Sequence, residues 1–177
     1  MSRIHGKVYL GTYVEASDKE WIKEHKITHI LITAQEIDPF FENSKKLHYK
    51  KMSMMLVDTF NPIPCFDEAA DHINLCQKDK ECKGILVHDY LGDCRSVSVI
   101  LAYIMKYLGY AYDHAFKELL DRRHQSRIGF YYKKCIKIWG FDMVQSKNKL
   151  KRTKQLFSND DLKIYEPDAA WRDSANK

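Results

Sequence analysis

One loop of this chain concentrates the side chains that could do chemistry. In order, its residues are His88, Asp89, Tyr90, Leu91, Gly92, Asp93, Cys94 and Arg95, and Ser96 follows. Arginine offers a planar fork of donors that suits phosphate, and the free N–H groups at the start of a helix attract anions. These residue types predict a phosphate-binding loop, although Asp89 and Asp93 place two carboxylates beside one guanidinium.

The elements on either side of the loop would hold it at one end of a sheet. An apolar run at 85–87 predicts a buried strand before it, and an apolar helix extends from 96 to a stop at Gly109. Further strands are predicted at 8–11, 28–33 and 49–57, and further helices at 66–76, 113–124 and 130–139. A capping box of Ser17 and Glu20 predicts one more helix start. This alternation predicts an α/β fold with a mainly parallel central sheet flanked by helices, whose ligands bind beyond the carboxyl ends of the strands.

Composition and charge exclude several classes of protein. The 177 residues are 45% hydrophobic and carry a formal net charge of +5, which suits a globular domain with a core and gives only a weak preference for anionic partners. We find no apolar stretch that could span a membrane, no secretory signal and no nucleic-acid-binding motif. The five cysteines are odd in number and lack C-x-x-C spacing, so we predict neither a disulfide scaffold nor a metal site. Free cysteines are typical of a reducing compartment, and we therefore predict a cytoplasmic protein.

The character of the sequence changes at residue 140. A basic run between Lys147 and Lys154 is followed by an acidic stretch, and apolar positions become sparse. We therefore predict a first domain at 1–139 and a partly ordered C-terminal extension at 140–177. We interpret the basic run as a solvated tail; the alternatives are a nuclear-import signal or a patch for an acidic partner.

The segment GILVHDYLGDCRS, which contains the loop, resembles the signature H-C-x-x-G-x-x-R-S/T of the protein tyrosine phosphatase superfamily, in particular of its small dual-specificity branch. His88, Gly92, Arg95 and Ser96 match that signature. The segments KVYLG, ITHIL, LAYIM and RIGF are similar to other parts of the same branch. The resemblance covers nearly all of the predicted first domain and implies the dual-specificity phosphatase fold.

The resemblance also implies a role for each matching residue. Arg95 would clamp the phosphoryl oxygens, Ser96 would help the nucleophile to leave phosphorus, and His88 would orient the loop backbone. Asp58, in a loop with two prolines, lies where the family keeps its general acid. The implied substrates are phosphotyrosine, phosphoserine and phosphothreonine in proteins, and the family's covalent cysteine chemistry needs no metal or organic cofactor.

One position departs from the family pattern, because Asp89 stands where the family has its nucleophilic cysteine. Because an aspartate is ordinarily ionised at neutral pH, we expect the Asp89 carboxylate itself to be the anion that the loop holds, paired with Arg95. A phosphoryl charge about 4 Å away would be repelled by on the order of 4 kcal/mol at an effective dielectric constant of about 20. We therefore predict a pseudophosphatase with poor phosphate affinity and no turnover, which binds a phosphoprotein or another protein partner.

Three alternatives concern the nucleophile. Asp89 could form an aspartyl phosphate, but that chemistry needs Mg²⁺ and a second aspartate at a spacing that is missing here. Cys94 could replace the absent cysteine, but we expect its thiol to pack under the loop. The chain could also be an active dual-specificity phosphatase whose natural residue 89 is cysteine and was changed to aspartate in the laboratory.

Overall fold

A mixed sheet of five strands forms the centre of the protein in this computed structural model, which describes residues 2–156 and the side chains of residues 2–149. The strands are β1 (Ser2–His5), β2 (Val8–Gly11), β3 (His29–Ile32), β4 (His48–Lys51) and β5 (Ile85–His88). The helices are α1 (Tyr13–Ser17), α2 (Lys19–Glu24), α3 (Ile63–Lys78), α4 (Arg95–Tyr103), α5 (Tyr112–Arg122) and α6 (Phe130–Leu156). The predicted α/β class is therefore confirmed.

The order of the strands brings three carboxyl ends together at the loop. The sheet runs β1-β2-β5-β3-β4, and only β1 and β2 pair in antiparallel fashion among these strands. In this register Gly11 of β2 and Ile32 of β3 both lie beside His88 of β5. All four residues of β5 are buried, as expected for a central parallel strand with helices on both faces. Residues that follow β2, β3 and β5 therefore meet at one edge.

Helix α4 lies in the core and starts at the loop. All nine of its residues are buried, as expected for a helix that is apolar on every side. A π-helical turn, Ile104–Leu108, continues it, and Gly109 ends it at the predicted stop. Helix α3 packs against α4, and its Phe66 and Ile73 are fully buried. Arg95 and Ser96, the polar first residues of α4, are buried as well.

The predicted helix start at Ser17 is wrong. Two short helices occupy this region, and Thr12 caps the first in a capping box with Glu15. Asp18 caps the second by accepting a hydrogen bond from the Trp21 N–H at 3.0 Å. Ser17 and Asp18 are both good capping residues, so the sequence pattern alone did not separate them.

Two predicted boundaries also differ from the structure. The strand predicted at 49–57 ends at Lys51, whereas the last helix passes the predicted end at 139 and continues to Leu156. Gly140 lies inside this helix, at a position where a Cβ would collide with the side chain of Met105. The chain divides into compact units, Met1–Gly140 and Phe141–Lys177. Residues 157–177 of the predicted extension lie outside the described residues, so its partial order stays a prediction.

Candidate functional site

The loop of residues 88–95 connects the carboxyl end of β5 to the first turn of α4. Gly92 has a φ of 66°, and a Cβ there would collide with the carbonyl oxygen of Gly11. Glycine is therefore required twice, for the left-handed backbone and for the close approach of β2. Tyr90 and Leu91 form the exposed tip of the loop, while the backbone amides behind them turn inward.

The Asp89 carboxylate occupies the inside of the loop. Oδ1 accepts a hydrogen bond from the Gly92 N–H at 2.5 Å, and Oδ2 accepts one from the Ser96 N–H at 3.0 Å. One donor belongs to the loop and the other to the first turn of α4, so both sources of anion attraction act on the same carboxylate. Asp89 is 2% exposed. Backbone amides of the loop and of α4 therefore hold both oxygens of this side chain inside the loop.

Arg95 pairs with Glu36 rather than with Asp89, so that part of the prediction is wrong. Nη1 donates to Oε2 of Glu36 at 2.7 Å, and Nη2 donates to Oε1 at 2.5 Å. Nη1 also donates to the carbonyl oxygen of Met54 at 3.1 Å. The physical reason is geometric: the planar guanidinium matches both oxygens of a free carboxylate, whereas both Asp89 oxygens already accept amide hydrogen bonds.

Electrostatics favour the charged forms of this pair. The hydrogen bonds from Arg95 lower the pKa of the Glu36 carboxyl below its ordinary value. Burial alone would lower the pKa of Arg95, but the Glu36 hydrogen bonds and the charges of Asp89 and Glu36 raise it above its ordinary value. The Arg95 side chain is 3% exposed and that of Glu36 is 52% exposed. An incoming anion must therefore displace Glu36 before it can take both guanidinium donors.

Two further buried polar side chains belong to this site, those of His88 and Ser96. Burial lowers the pKa of His88 to about 4, so its imidazole is neutral at pH 7. Its Nδ1 lies 3.3 Å from the Asp89 carbonyl oxygen, which agrees with the implied role in orienting the loop. Within the described part of the chain, His88 Nε2, Arg95 Nε and Ser96 Oγ have no hydrogen-bond partner. Unsatisfied donors on Arg95 and Ser96 leave polar capacity for a ligand.

Cys94 and Asp93 lie on the side of the loop that packs against the segment before α6. The Cys94 thiol is half-buried next to Gly129, and burial raises its pKa. A thiol in this state is a poor nucleophile, which supports packing rather than chemistry. Burial, and after it the charge of Asp89, also raise the pKa of the Asp93 carboxyl. Asp93 fixes the neighbouring segment through its carbonyl oxygen, which accepts the Arg127 N–H at 3.1 Å.

Asp58 and Arg95 line two neighbouring cavities. The cavity at Arg95 measures about 430 Å³, and its lining residues are Gln35, Glu36, Met55, Leu56, Val57 and Arg95. Asp58 lines a second cavity of about 350 Å³, together with Cys94 and Tyr131. Leu56 and Val57 border both cavities. A role for Asp58 as general acid over Arg95 therefore requires this segment to shift.

Glu36 is the site residue that sequence reasoning missed. It lies shortly after β3, in a stretch that its mixed composition marks only as a loop. The end of β3 is fixed to the start of the loop, because the Thr33 N–H and hydroxyl both donate to the His88 carbonyl oxygen, at 2.9 and 3.0 Å. The signal was available in principle: residues after a strand that neighbours β5 must meet the loop.

Exposed apolar side chains border both cavities and the loop tip. These residues are Tyr13, Met55, Leu56, Val57, Tyr90, Leu91 and Phe130. Tyr13 packs against Tyr90 with ring centroids 5.4 Å apart, and its N–H donates to the Tyr90 carbonyl oxygen at 3.1 Å. We call this set the apolar rim. A rim of this kind suits contact with another protein.

Comparison with known proteins identifies the family. The model of the dual specificity phosphatase catalytic domain matches residues 8–140. The chain belongs to this family. It is 30% identical over 126 residues to Dual specificity protein phosphatase 1B of Arabidopsis thaliana, which covers 71% of this chain and 73% of that protein. The resemblance stated from the loop and its neighbouring segments is thereby confirmed.

Solved structures of this family share the fold. The crystal structure of DUSP15 superposes with a TM-score of 0.74 at 20% identity, over 86% of this chain and 95% of that one. The human tyrosine phosphatase-like serine/threonine/tyrosine-interacting protein gives a TM-score of 0.73 at 25% identity, over 81% of this chain and 97% of that one. In the described part of this chain, none of the helices has the length and apolar character needed to span a membrane.

Proposed function

We propose that this chain is a pseudophosphatase of the dual-specificity family, in which Asp89 stands at the position of the nucleophilic cysteine and the domain acts by binding. The observation that carries the proposal is the pair of amide hydrogen bonds to Asp89, from Gly92 and from Ser96. These donors are the ones that would otherwise bind an incoming phosphoryl oxygen. A carboxylate bound through both oxygens is also a weak nucleophile toward phosphorus.

The charges around the loop support weak phosphate binding. A phosphoryl dianion that enters the Arg95 cavity approaches Asp89 and must displace Glu36 from the guanidinium. The repulsion between Asp89 and each unit of phosphoryl charge about 4 Å away is on the order of 4 kcal/mol at an effective dielectric constant of about 20. The Arg95 guanidinium already has the Glu36 carboxylate as its partner and the charge of Asp89 nearby. Affinity for phosphate alone is therefore low, and a phosphoprotein would need additional contacts.

The apolar rim supports a protein as the partner. Its side chains border the loop and leave large apolar groups exposed beside the Arg95–Glu36 ion pair. Apolar side chains around a polar centre are typical of protein-binding surfaces. One relative of this chain, at 25% identity, is named as a tyrosine phosphatase-like, serine/threonine/tyrosine-interacting protein. We propose the same kind of role here, with a phosphoprotein or another protein bound at the rim.

Hydrolysis of an aryl phosphate tests the proposal. The wild-type protein should show no turnover above an Arg95→Ala control, and Asp89→Cys should gain turnover if the remaining groups are arranged for catalysis. Wild-type hydrolysis at rates ordinary for a dual-specificity phosphatase, lost in Arg95→Ala, would overturn the proposal. Absence of turnover in Asp89→Cys would favour a binding domain whose site has lost more than its nucleophile.

A second candidate function is an active dual-specificity phosphatase whose natural residue 89 is cysteine. The intact loop with Gly92, Arg95 and Ser96 favours it, because these groups serve phosphate chemistry and survive in this chain. The residue encoded at position 89 of the natural gene separates the two candidates directly. Cysteine at that codon, together with turnover by Asp89→Cys, would establish the enzyme.

A further inference from the structure

Three side chains with soft or borderline donor atoms meet at the end of the sheet opposite the loop. His29 begins β3, Cys76 lies in the last turns of α3, and Cys82 lies in the connection from α3 to β5. One ligand atom from each lies within 4.8 Å of the others. The loop of residues 88–95 lies at the carboxyl end of β5, whereas this cluster lies at the amino ends of β3 and β5. It is therefore separate from the phosphate-binding loop.

The surroundings of the cluster orient its donor atoms. Cys76 is 4% exposed and Cys82 is fully buried. Nδ1 of His29 lies 3.0 Å from the Thr28 hydroxyl, which leaves Nε2 as the free ring nitrogen. The same hydroxyl accepts the Lys83 N–H at 3.0 Å, which fixes it in place. A ligating histidine is usually held in this way, through a hydrogen bond from its other ring nitrogen.

Asp79 offers the fourth donor. Its Oδ2 lies 3.9 Å from His29 Nε2, and Oδ1 accepts the Glu81 N–H at 2.9 Å, which orients the carboxylate. Zinc bonds of about 2.3 Å to sulfur and about 2.0 Å to nitrogen or oxygen place tetrahedral ligand atoms roughly 3.3–3.8 Å apart. The Asp79–His29 separation lies close to this range, whereas the ligand atoms of His29, Cys76 and Cys82 are up to 4.8 Å apart. The four side chains, and Asp79 above all, would therefore have to move inward to bind one ion.

The charges of the site also balance. Two thiolates and one carboxylate carry three negative charges, and a divalent cation leaves a single one. Lys7 lies beside the site and donates from Nζ to the Asp79 carbonyl oxygen at 2.6 Å. Its charge neutralises the remainder. Two thiolates with one imidazole and one carboxylate form a ligand set that selects zinc over harder cations such as Mg²⁺ or Ca²⁺.

We propose that His29, Cys76, Asp79 and Cys82 form a structural zinc site, distinct from the phosphatase-like site. The metal would fasten the connection between α3 and β5 to the start of β3. Since four protein ligands close the coordination sphere, no position is left for a substrate, and the role is structural. The cysteine spacing, with five residues between Cys76 and Cys82, does not match C-x-x-C, which is why sequence spacing predicted no metal.

Cobalt titration of the metal-stripped wild-type protein tests this site under reducing conditions. One equivalent of Co²⁺ should give a thiolate-to-cobalt charge-transfer band and intense visible bands of a tetrahedral site, and one equivalent of Zn²⁺ should abolish both. A titration without the charge-transfer band would overturn the proposal.

Variants locate the metal and give a second readout. Cys82→Ser should lower zinc affinity by on the order of 100-fold or more, and Asp79→Asn should lower it less, because a carboxylate is the weaker ligand here. Cys65→Ser is the matched control, since Cys65 lies in the first turn of α3, at the opposite end of that helix from Cys76. Zinc should raise the melting temperature of the wild type and of the control, and not that of Cys82→Ser. Equal zinc affinity in all of these proteins would contradict the assignment.

Discussion

The Glu36→Gln substitution tests how far Glu36 keeps anions from Arg95. The change preserves the length of the side chain but removes its negative charge. In the wild type the two carboxylate oxygens accept hydrogen bonds from Nη1 and Nη2 of Arg95 at 2.7 and 2.5 Å. In the wild type, an oxyanion has to break this pair before it binds the guanidinium. In the variant the amide oxygen keeps at most an uncharged hydrogen bond to the guanidinium, so most of that cost is removed and anion affinity should rise by up to the free energy of the pair.

The exposure of the two partners sets the magnitude of this rise. Hydrogen bonds to charged groups contribute about 1.5–3 kcal/mol, while exposed ion pairs contribute only about 0–1 kcal/mol. With Arg95 3% exposed and Glu36 52% exposed, the pair lies between these cases. We expect about 1–3 kcal/mol, which corresponds to roughly 5- to 150-fold in affinity.

Tungstate, an oxyanion similar to phosphate, is a suitable probe for this measurement. Titration followed through the amide resonances of Gly92 and Ser96 should give a lower dissociation constant for Glu36→Gln than for the wild type. Glu42→Gln is the control, because Glu42 is an exposed glutamate in the same connection and should leave the affinity unchanged. Equal affinities in Glu36→Gln and the wild type would refute the argument that the pair competes with anions.

The remaining predictions concern stability. Burial lowers the pKa of His88 from 6.5 to about 4. Between these two pH values the unfolded state binds more protons than the folded state, so the free energy of unfolding should fall by about 3 kcal/mol as the pH falls through this window. His88→Asn should flatten that slope in urea titrations with a chelator present; an unchanged slope would show that other groups cause it. Gly92→Ala should destabilise the protein by about 1–3 kcal/mol more than Gly109→Ala, since both glycines have positive φ but only a Cβ at Gly92 meets another backbone. Equal losses in chemical denaturation would contradict the close approach of Gly11.

The sequence pattern predicts the buried strands of the sheet correctly, but it does not predict the strands at the two edges. Strands β2, β3 and β5 are short apolar runs, and their burial makes the pattern strong. Strand β1 was not predicted, because only Ile4 among its four residues is buried. Strand β4 was predicted too long, since its own four residues are partly or fully exposed and the apolar residues after it are irregular. Edge strands with little burial carry little periodic signal.

The candidate site also has features that the local sequence predicts and features that it does not. The loop, its glycine and the placement of Asp89 inside it follow from a local segment whose backbone is set by one strand and one helix. The partner of Arg95 does not, because Glu36 is 59 residues away in sequence and reaches the loop only through the order of the strands. The cluster of His29, Cys76 and Cys82 joins three separate elements, and no local spacing reveals it. Long-range pairing is the part that sequence patterns leave undetermined.

Binding of inorganic phosphate to the wild type and to Asp89→Ser tests the central claim most directly. Serine removes the carboxylate and frees the amides of Gly92 and Ser96 for the ligand, while the loop glycine and Arg95 stay in place. The repulsion of on the order of 4 kcal/mol predicts that calorimetry will find phosphate bound roughly several hundred-fold more tightly by Asp89→Ser than by the wild type. Wild-type affinity equal to or greater than that of Asp89→Ser would show that the carboxylate does not occupy the phosphate site.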